Sequence, residues 1–338
     1  MEKTQTVEKQ QRVFSAIQPT SMPTVGNYLG ALKNWASMAE DYDCLFAVAD
    51  LHAITVRQEP ALLRKQSTEM LALLLALDLN PEKNIVFVQS NVPAHSELAW
   101  ILNCYTQFGE ASRMTQFKEK SRTHADNINV GLFSYPTLMA ADILLYQTDF
   151  VPIGADQKQH LEITRDIAER FNGLHSNTFK LPEPFFGKSG TRVMSLQEPS
   201  KKMSKSDTNP KASVSILDKP DTIIKKFKSA VTDSEAIVRY SEEKQGINNL
   251  MSIYSGCTGK SFDEIEREFD GKGYGDFKLA VAQSVIDELR PVQEKYNEII
   301  NDKAYLKESA LKGAQKAQYV SQRTLDKVKK KIGLLQYK

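Results

Sequence analysis

Residues 202–206 read Lys-Met-Ser-Lys-Ser, inside a stretch rich in Lys, Ser and Pro that spans 199–213. Two lysines three apart in a loop can converge on one polyphosphate. An ammonium on a four-carbon stem is a compact charge that follows phosphates as their geometry changes. Taken alone, a Lys-x-x-Lys loop also fits a solvated basic surface. The Met-Ser-Lys-Ser continuation and a second segment far upstream tip the reading towards phosphate. That segment is FSAIQPTSMPTVGNYLG, residues 14–30. Pro19, Pro23 and Gly26 mark a tight turn after an apolar run, with a helix expected to begin near Asn27. Glycine in such a turn lets a nucleotide approach the backbone. A helix start presents unpaired N–H groups and the positive end of its dipole to phosphate. Thr24 and Asn27 offer neutral donors beside it.

Apolar runs bounded by turn signals predict strands over Arg12–Ile17, Cys44–Ala49 and Ile85–Gln89. Between the last two, Pro60 opens a helix that carries Leu63, Met70, Leu74 and Leu77 and ends before Pro81. Strand–helix–strand repetition predicts the α/β class, with a Rossmann-like parallel sheet covered by helices on both faces. Ligands of such sheets bind beyond the carboxyl ends of the strands, where the strand order reverses. Residues 98–124 read as helical. Gln157–Phe171 is an amphipathic helix with His160, Ile163, Ile167 and Phe171 on one face, and Thr191–Leu196 reads as a short strand. From Lys219 onward the pattern is helical. One helix starts at Pro220 with Ile224, Phe227 and Val231 on its apolar face. Another follows Gly273 and Gly275, carries Phe277, Val281, Val285 and Leu289, and closes before Pro291. The expected division is a flexible leader (1–11), a nucleotide-binding domain (12–207) with a helical insertion near 98–134, a helical domain (208–301), and a basic helix (302–338) folded back on the body.

Composition narrows the options. Hydrophobic residues make up 41% and charged residues 25%, ordinary for a globular chain. No apolar run approaches the roughly 20 residues of a membrane helix, so no membrane partner is expected. Cys44, Cys104 and Cys257 lie far apart, without metal-ligand spacing among themselves or the histidines. That pattern suits a reducing cytoplasm without a protein-held metal. Net charge is +2, yet residues 302–338 hold ten Lys/Arg against three Asp/Glu and leave the rest acidic. A basic tail of this kind can touch phosphates or stay solvated.

The paired segments resemble the two signatures of the class I aminoacyl-tRNA synthetases. The first reads His-Ile-Gly-His in that class and Thr24-Val25-Gly26-Asn27 here, a form typical of its tryptophanyl branch. MTQFKEK (114–120), YPTLMAADILLY (135–146), VPIGADQKQHLEITRDIAERF (151–171) and SAVTDSE (229–235) match the same branch, and the resemblance runs from Val13 to Gly333. It implies that Asp142 accepts the indole N–H of tryptophan. Chemically this is sensible, since indole only donates and a carboxylate only accepts. An unmet buried carboxylate would then penalise phenylalanine. Phe14, Tyr135, Met139, Val151 and Ile153 are implied as walls of the indole slot, Gln157 as a contact of the amino group, and His52 as a pocket residue. For ATP the resemblance implies Gln18, Pro19, Thr20, Gly26, Asn27, Gly154, Ala155, Asp156, Val193, and the loop Lys202, Met203, Ser204, Lys205, Ser206. Asp156 would hold the ribose, and adenine would lie near Val193. Lys120 would reach the phosphates from the insertion, with Mg²⁺ riding on them. Ala16 and Ser21 stand where this branch usually has glycine, which bears on pocket geometry and removes no charge.

The same resemblance implies the partners L-tryptophan, ATP and tRNA(Trp), a helical anticodon-binding domain, and a homodimer. Adenylate formation would need no protein nucleophile, so Lys202, Lys205, Lys120, Thr24 and Asn27 would act by positioning and charge. Three rivals remain at this level. They are the tyrosyl branch, a tRNA-independent nucleotidyltransferase, and a non-catalytic RNA-binding relative. The MAADILLY segment, the helical region after Lys219 and the intact lysine loop argue against them in turn.

Overall fold

A computed structural model describes residues 11–123, 128–154, 157–185, 190–205 and 207–337, without the side chains of 119, 120 and 123. Five parallel strands form one sheet in the order β3-β2-β1-β4-β5. They are β1 (Arg12–Ile17), β2 (Asp43–Val48), β3 (Ile85–Val88), β4 (Phe150–Pro152) and β5 (Glu183–Phe185). The chain starts in the middle, at β1, and moves outward through β2 and β3. It then crosses to the other side for β4 and β5. The order therefore reverses between β1 and β4, where Val13 pairs with Phe150. β2 is buried from Cys44 to Val48, as an apolar strand covered on both faces must be. Short β4 and β5 give no alternating or extended apolar run, and the sequence reading did not find them.

Local sequence explains the helices that matter for the site. The Pro60–Ala76 helix has proline at its start, and the Glu59 carboxylate accepts from the N–H groups of Ala61 and Leu62. The Val130–Leu144 helix is capped by Asn129, whose Oδ1 accepts from Leu132 N at 2.9 Å. Tyr135, Met139 and Asp142 then recur at helical spacing and share one face. The expected helix over 98–124 is three pieces, Ala94–Asn103, Phe108–Ser112 and Thr115–Thr123. A capping box between Gln107 and Glu110 restarts the second piece.

Four further expectations need correction. Val231 is not on the apolar face of the Pro220 helix, which ends at Lys228, and is 47% exposed. The helix beginning at Tyr274 does not stop before Pro291 but runs to Asn301. Its buried stripe continues through Leu289, Val292 and Tyr296, and this packing outweighs the hydrogen bond that proline removes. The first-signature helix starts at Val25, two residues before Asn27, because Thr24 caps it. Thr191–Leu196 is not a sheet strand. Its backbone bonds go to the lysine loop and to one side chain instead: Ser195 N donates to Lys201 O (2.8 Å), Met194 N donates to Asn249 Oδ1 (2.8 Å), and Asn249 Nδ2 donates to Met194 O (2.9 Å).

One apolar cluster runs from Val13 and Phe46 through Val193 and Met203 to Ile247, Phe277 and Leu289, so sheet and later helices share a core. The Lys303–Lys331 helix lies against β3, with Ala314, Ala317, Ser321, Thr324, Leu325 and Val328 buried. Several of its lysines serve the fold. Lys331 Nζ donates to His175 O (2.7 Å) at the end of the Lys158–His175 helix, Lys327 Nζ to Asn177 O (3.1 Å), and Lys316 Nζ to Pro81 O (2.9 Å). Lysines at the carbonyl end of a helix are favoured by its dipole.

Candidate active site

A cavity of about 270 Å³ opens at the carboxyl ends of β1 and β4, where the strand order reverses. That is just below the roughly 300–1,000 Å³ of drug-sized sites and suits one amino acid. β1 contributes Phe14, and β4 with the residue after it contributes Val151 and Ile153. The Val130–Leu144 helix contributes Tyr135, Met139 and Asp142. The short Asp50–Ala53 helix after β2 supplies His52, and Gln157 enters as the cap of the Lys158–His175 helix. All the side chains that the resemblance assigned to tryptophan therefore line one cavity. Gln18 lines it too, beside Ala16.

At its floor Asp142 is 2% exposed. Its Oδ2 faces His52 Nε2 at 2.7 Å, and its Oδ1 accepts from Gln89 Nε2 at 2.7 Å and meets His95 Nδ1 at 2.6 Å. Burial pushes this carboxyl up, but hydrogen bonds from and attraction to His52 and His95 outweigh it and hold the group at about 2. Asp142 is thus an anion at neutral pH. His160 Nε2 lies 2.7 Å from the Tyr135 hydroxyl at the opposite wall.

Sequence reasoning missed Gln116, Thr55 and Ile143 in the lining, and Gln89 and His95 behind Asp142. Gln89 directly follows β3 at the end of the sheet where ligands bind, a position that could have marked it. A lone histidine at 95 carries no such signal. His160 was read only as part of an apolar helix face.

The nucleotide side begins where β1 ends. Thr24 and Asn27 form a capping box: Asn27 N donates to Thr24 Oγ1 (3.3 Å) and Thr24 N donates to Asn27 Oδ1 (3.0 Å). Thr24 is 2% exposed and also donates its hydroxyl to Asn27 Oδ1, so it shapes the turn from within. Gly26 is pressed against the lysine loop. A Cβ there would stand 3.3 Å from Val193 Cβ and 3.4 Å from Met203 Cβ. Met203 N donates to Val193 O at 3.1 Å, and Lys202 pairs with Met194 in a single bridge. Lys205 Nζ reaches Thr20 Oγ1 at 2.9 Å and Gln18 O at 3.5 Å. The loop, the Gln18-Pro19-Thr20 turn and the helix start thus meet. Ser204 is partly buried in the same loop, and Gly154 O accepts from Gln157 N at 3.0 Å. Ala155, Asp156, Ser206 and the Lys120 side chain lie outside the described residues; the backbone at 120 falls in the Thr115–Thr123 helix.

A parallel sheet whose first βα turn is clasped by a lysine loop has the plan of a class I synthetase. The family model described as tRNA synthetases class I (W and Y) matches residues 5–290, and the chain belongs to that family. Its similarity lies with the tryptophan branch. The tryptophan–tRNA ligase of Clostridium tetani is 54% identical over 328 residues, 97% of each chain. Among solved structures, tryptophanyl-tRNA synthetase from Mycoplasma pneumoniae aligns with a TM-score of 0.87 at 33% identity, covering 96% of this chain and 98% of that one. The enzyme from Campylobacter jejuni, described as complexed with ADP and tryptophan, aligns at 0.83 with 35% identity over 96% and 100%.

Proposed function

We propose that this protein activates L-tryptophan with ATP to tryptophanyl-adenylate and pyrophosphate, then transfers tryptophan to the 3′-terminal ribose of tRNA(Trp), releasing AMP. The observation that carries the tryptophan assignment is the buried, ionised Asp142 at the floor of an apolar slot of single-amino-acid size. It offers an acceptor where an indole N–H must be met, and a phenyl ring would leave it unmet. Identity above half to a tryptophan–tRNA ligase over nearly the whole chain supports the same reading.

In the first step a tryptophan carboxylate oxygen attacks the α-phosphorus, and the bond to the β-phosphate oxygen breaks. The substrate carboxylate is already ionised at pH 7, so no general base is required. Gln157 would hold the amino group, while Phe14, Tyr135, Met139, Val151, Ile153 and His52 hold the ring in place. Lys202 and Lys205 neutralise the leaving pyrophosphate from the loop, with Lys120 and the helix start at Gly26–Asn27 adding to the cradle. Asp156 is assigned to the ribose and Val193 to the adenine edge. A Mg²⁺ that came with ATP would be held by its phosphates and water and would neutralise phosphate charge. In the second step a ribose hydroxyl, the 2′ by class analogy, attacks the anhydride carbonyl.

The helices of 208–301 would read the anticodon, whose unstacked bases are recognised by stacking and edge hydrogen bonds. A homodimer is supported by Trp100, Phe108 and Val130, which are 71%, 77% and 80% exposed on helices of the 98–134 segment. A cytoplasmic setting is in keeping with three unpaired cysteines. No helix among the described residues is long and apolar enough to cross a membrane. The deciding measurement is amino-acid-dependent exchange of labelled pyrophosphate into ATP. Tryptophan should drive it; exchange driven by tyrosine instead, or by neither, would overturn the proposal.

A further inference from the structure

We propose that Tyr146 and His95 aim the carboxylate of Asp142 at the indole nitrogen, so that these two are positioning residues for tryptophan recognition. The inference rests on the reading of Asp142 as the indole acceptor.

The two oxygens of Asp142 are not equivalent. Oδ1 meets two donors, Gln89 Nε2 at 2.7 Å and His95 Nδ1 at 2.6 Å, while Oδ2 meets, among the described residues, only His52 Nε2 at 2.7 Å. A carboxylate oxygen accepts about two hydrogen bonds. Oδ1 is therefore filled, and Oδ2 keeps one direction. His52 lines the cavity with Asp142, whereas Gln89 and His95 stand behind it at 1% and 0% exposure. The open direction is thus on the wet side and the filled oxygen on the dry side. The terminal torsion of an aspartate is broad, so neighbouring donors set the plane of the carboxylate.

His95 is itself held. An ionised carboxylate only accepts, which places a proton on His95 Nδ1. Its other ring nitrogen, Nε2, lies 2.7 Å from the Tyr146 hydroxyl. Asp142 and Tyr146 lie one helical turn apart and bracket the imidazole between them. Tyr146 is 0% exposed, and its ring stacks on Phe14, a wall of the cavity, at 5.7 Å and 10°. Gln147 Nε2, next in the chain, reaches Thr324 Oγ1 of the C-terminal helix at 3.4 Å. Apolar side chains would fill these positions without the cost of burying polar atoms. A chain in which each member satisfies the next instead fixes one geometry, and here that geometry ends on Asp142 Oδ1 and so leaves Oδ2 turned to the cavity.

The test compares kcat/KM in pyrophosphate exchange for tryptophan and for β-(3-benzothienyl)alanine, in which sulfur replaces the ring N–H. Tyr146→Phe should lower the tryptophan-to-analogue ratio by roughly 3- to 10-fold, the worth of one neutral hydrogen bond. His95→Gln, which breaks the ring bridge between Tyr146 and Asp142, should lower it in the same direction. The KM for ATP should stay at the wild-type value in both, which a general loss of structure would not allow. Asp142→Asn is the reference and should lower the ratio most. Wild-type ratios in Tyr146→Phe and His95→Gln, alongside a collapsed ratio in Asp142→Asn, would overturn the relay and leave the acceptor reading standing. A wild-type ratio in Asp142→Asn would overturn both. Should Tyr146→Phe not fold, His95→Gln carries the test alone.

Discussion

Lys205 Nζ lies 2.9 Å from Thr20 Oγ1, which latches the lysine loop onto the turn that follows the first strand. The latch sets an exposed, mobile-stemmed charge where β1 ends and the first helix begins, between the two segments that must share a polyphosphate. Removing that charge leaves the tryptophan cavity untouched, because Lys205 does not line it. Lys205→Ala should therefore slow tryptophan-dependent pyrophosphate exchange by roughly 10²–10³-fold, the usual worth of one preorganised charge-stabilising group. The KM for tryptophan should change little. An exchange rate near wild type would remove the loop from the reaction.

Gly26 joins the same two segments through steric fit. Val193 and Met203, which a Cβ would meet at 3.3 and 3.4 Å, are 1% and 3% exposed and have nowhere to swing. Gly26→Ala should push the loop away by a few tenths of an ångström at a cost of about 1 kcal/mol. That corresponds to roughly a fivefold rise in the KM for ATP, with tryptophan less affected. Equal rises for both substrates would place the damage in the fold at large.

How much of this was readable beforehand follows from the kind of signal each part carries. Asp142, Tyr135 and Met139 were legible because one long, specific motif carries all three; the fold then sets them on one helix face. β4 was not: three residues paired at Val13 and against β5 leave no periodicity to detect. Pro291 misled because a proline reads as a stop, whereas Val292 and Tyr296 bury a stripe that carries the helix past it. His95 was invisible for a different reason. Its meaning lies in partners at 142 and 146, which only the folded chain brings together with it.

Asp142 also makes an acid-side prediction. Its folded value is depressed from 3.8 to about 2, so its ionised, hydrogen-bonded form contributes stability that is full above 3.8 and is lost as pH falls towards 2. Asn at this position cannot titrate. The stability gap between wild type and Asp142→Asn should be constant from pH 7 to about 5 and narrow steadily below about 4. Urea unfolding at stepped pH measures it. A gap that stays constant down to pH 3 would mean that Asp142 has the same proton affinity folded and unfolded.

Two glycines in helices give opposite expectations for one substitution. Gly313, in the Lys303–Lys331 helix, faces β3 so closely that a Cβ would overlap the Val86 carbonyl oxygen, which belongs to the sheet backbone and cannot turn aside. Gly313→Ala should lift the C-terminal helix off the sheet and cost about 1–3 kcal/mol. Gly173 sits in the Lys158–His175 helix with nothing within 4 Å of the same added carbon. There alanine only narrows the unfolded ensemble and favours the helix, a gain of about 0.5–1 kcal/mol. Urea midpoints of the two variants should move apart from wild type in opposite directions. A neutral Gly313→Ala would show that the helix rests on β3 more loosely than its contact with Val86 requires.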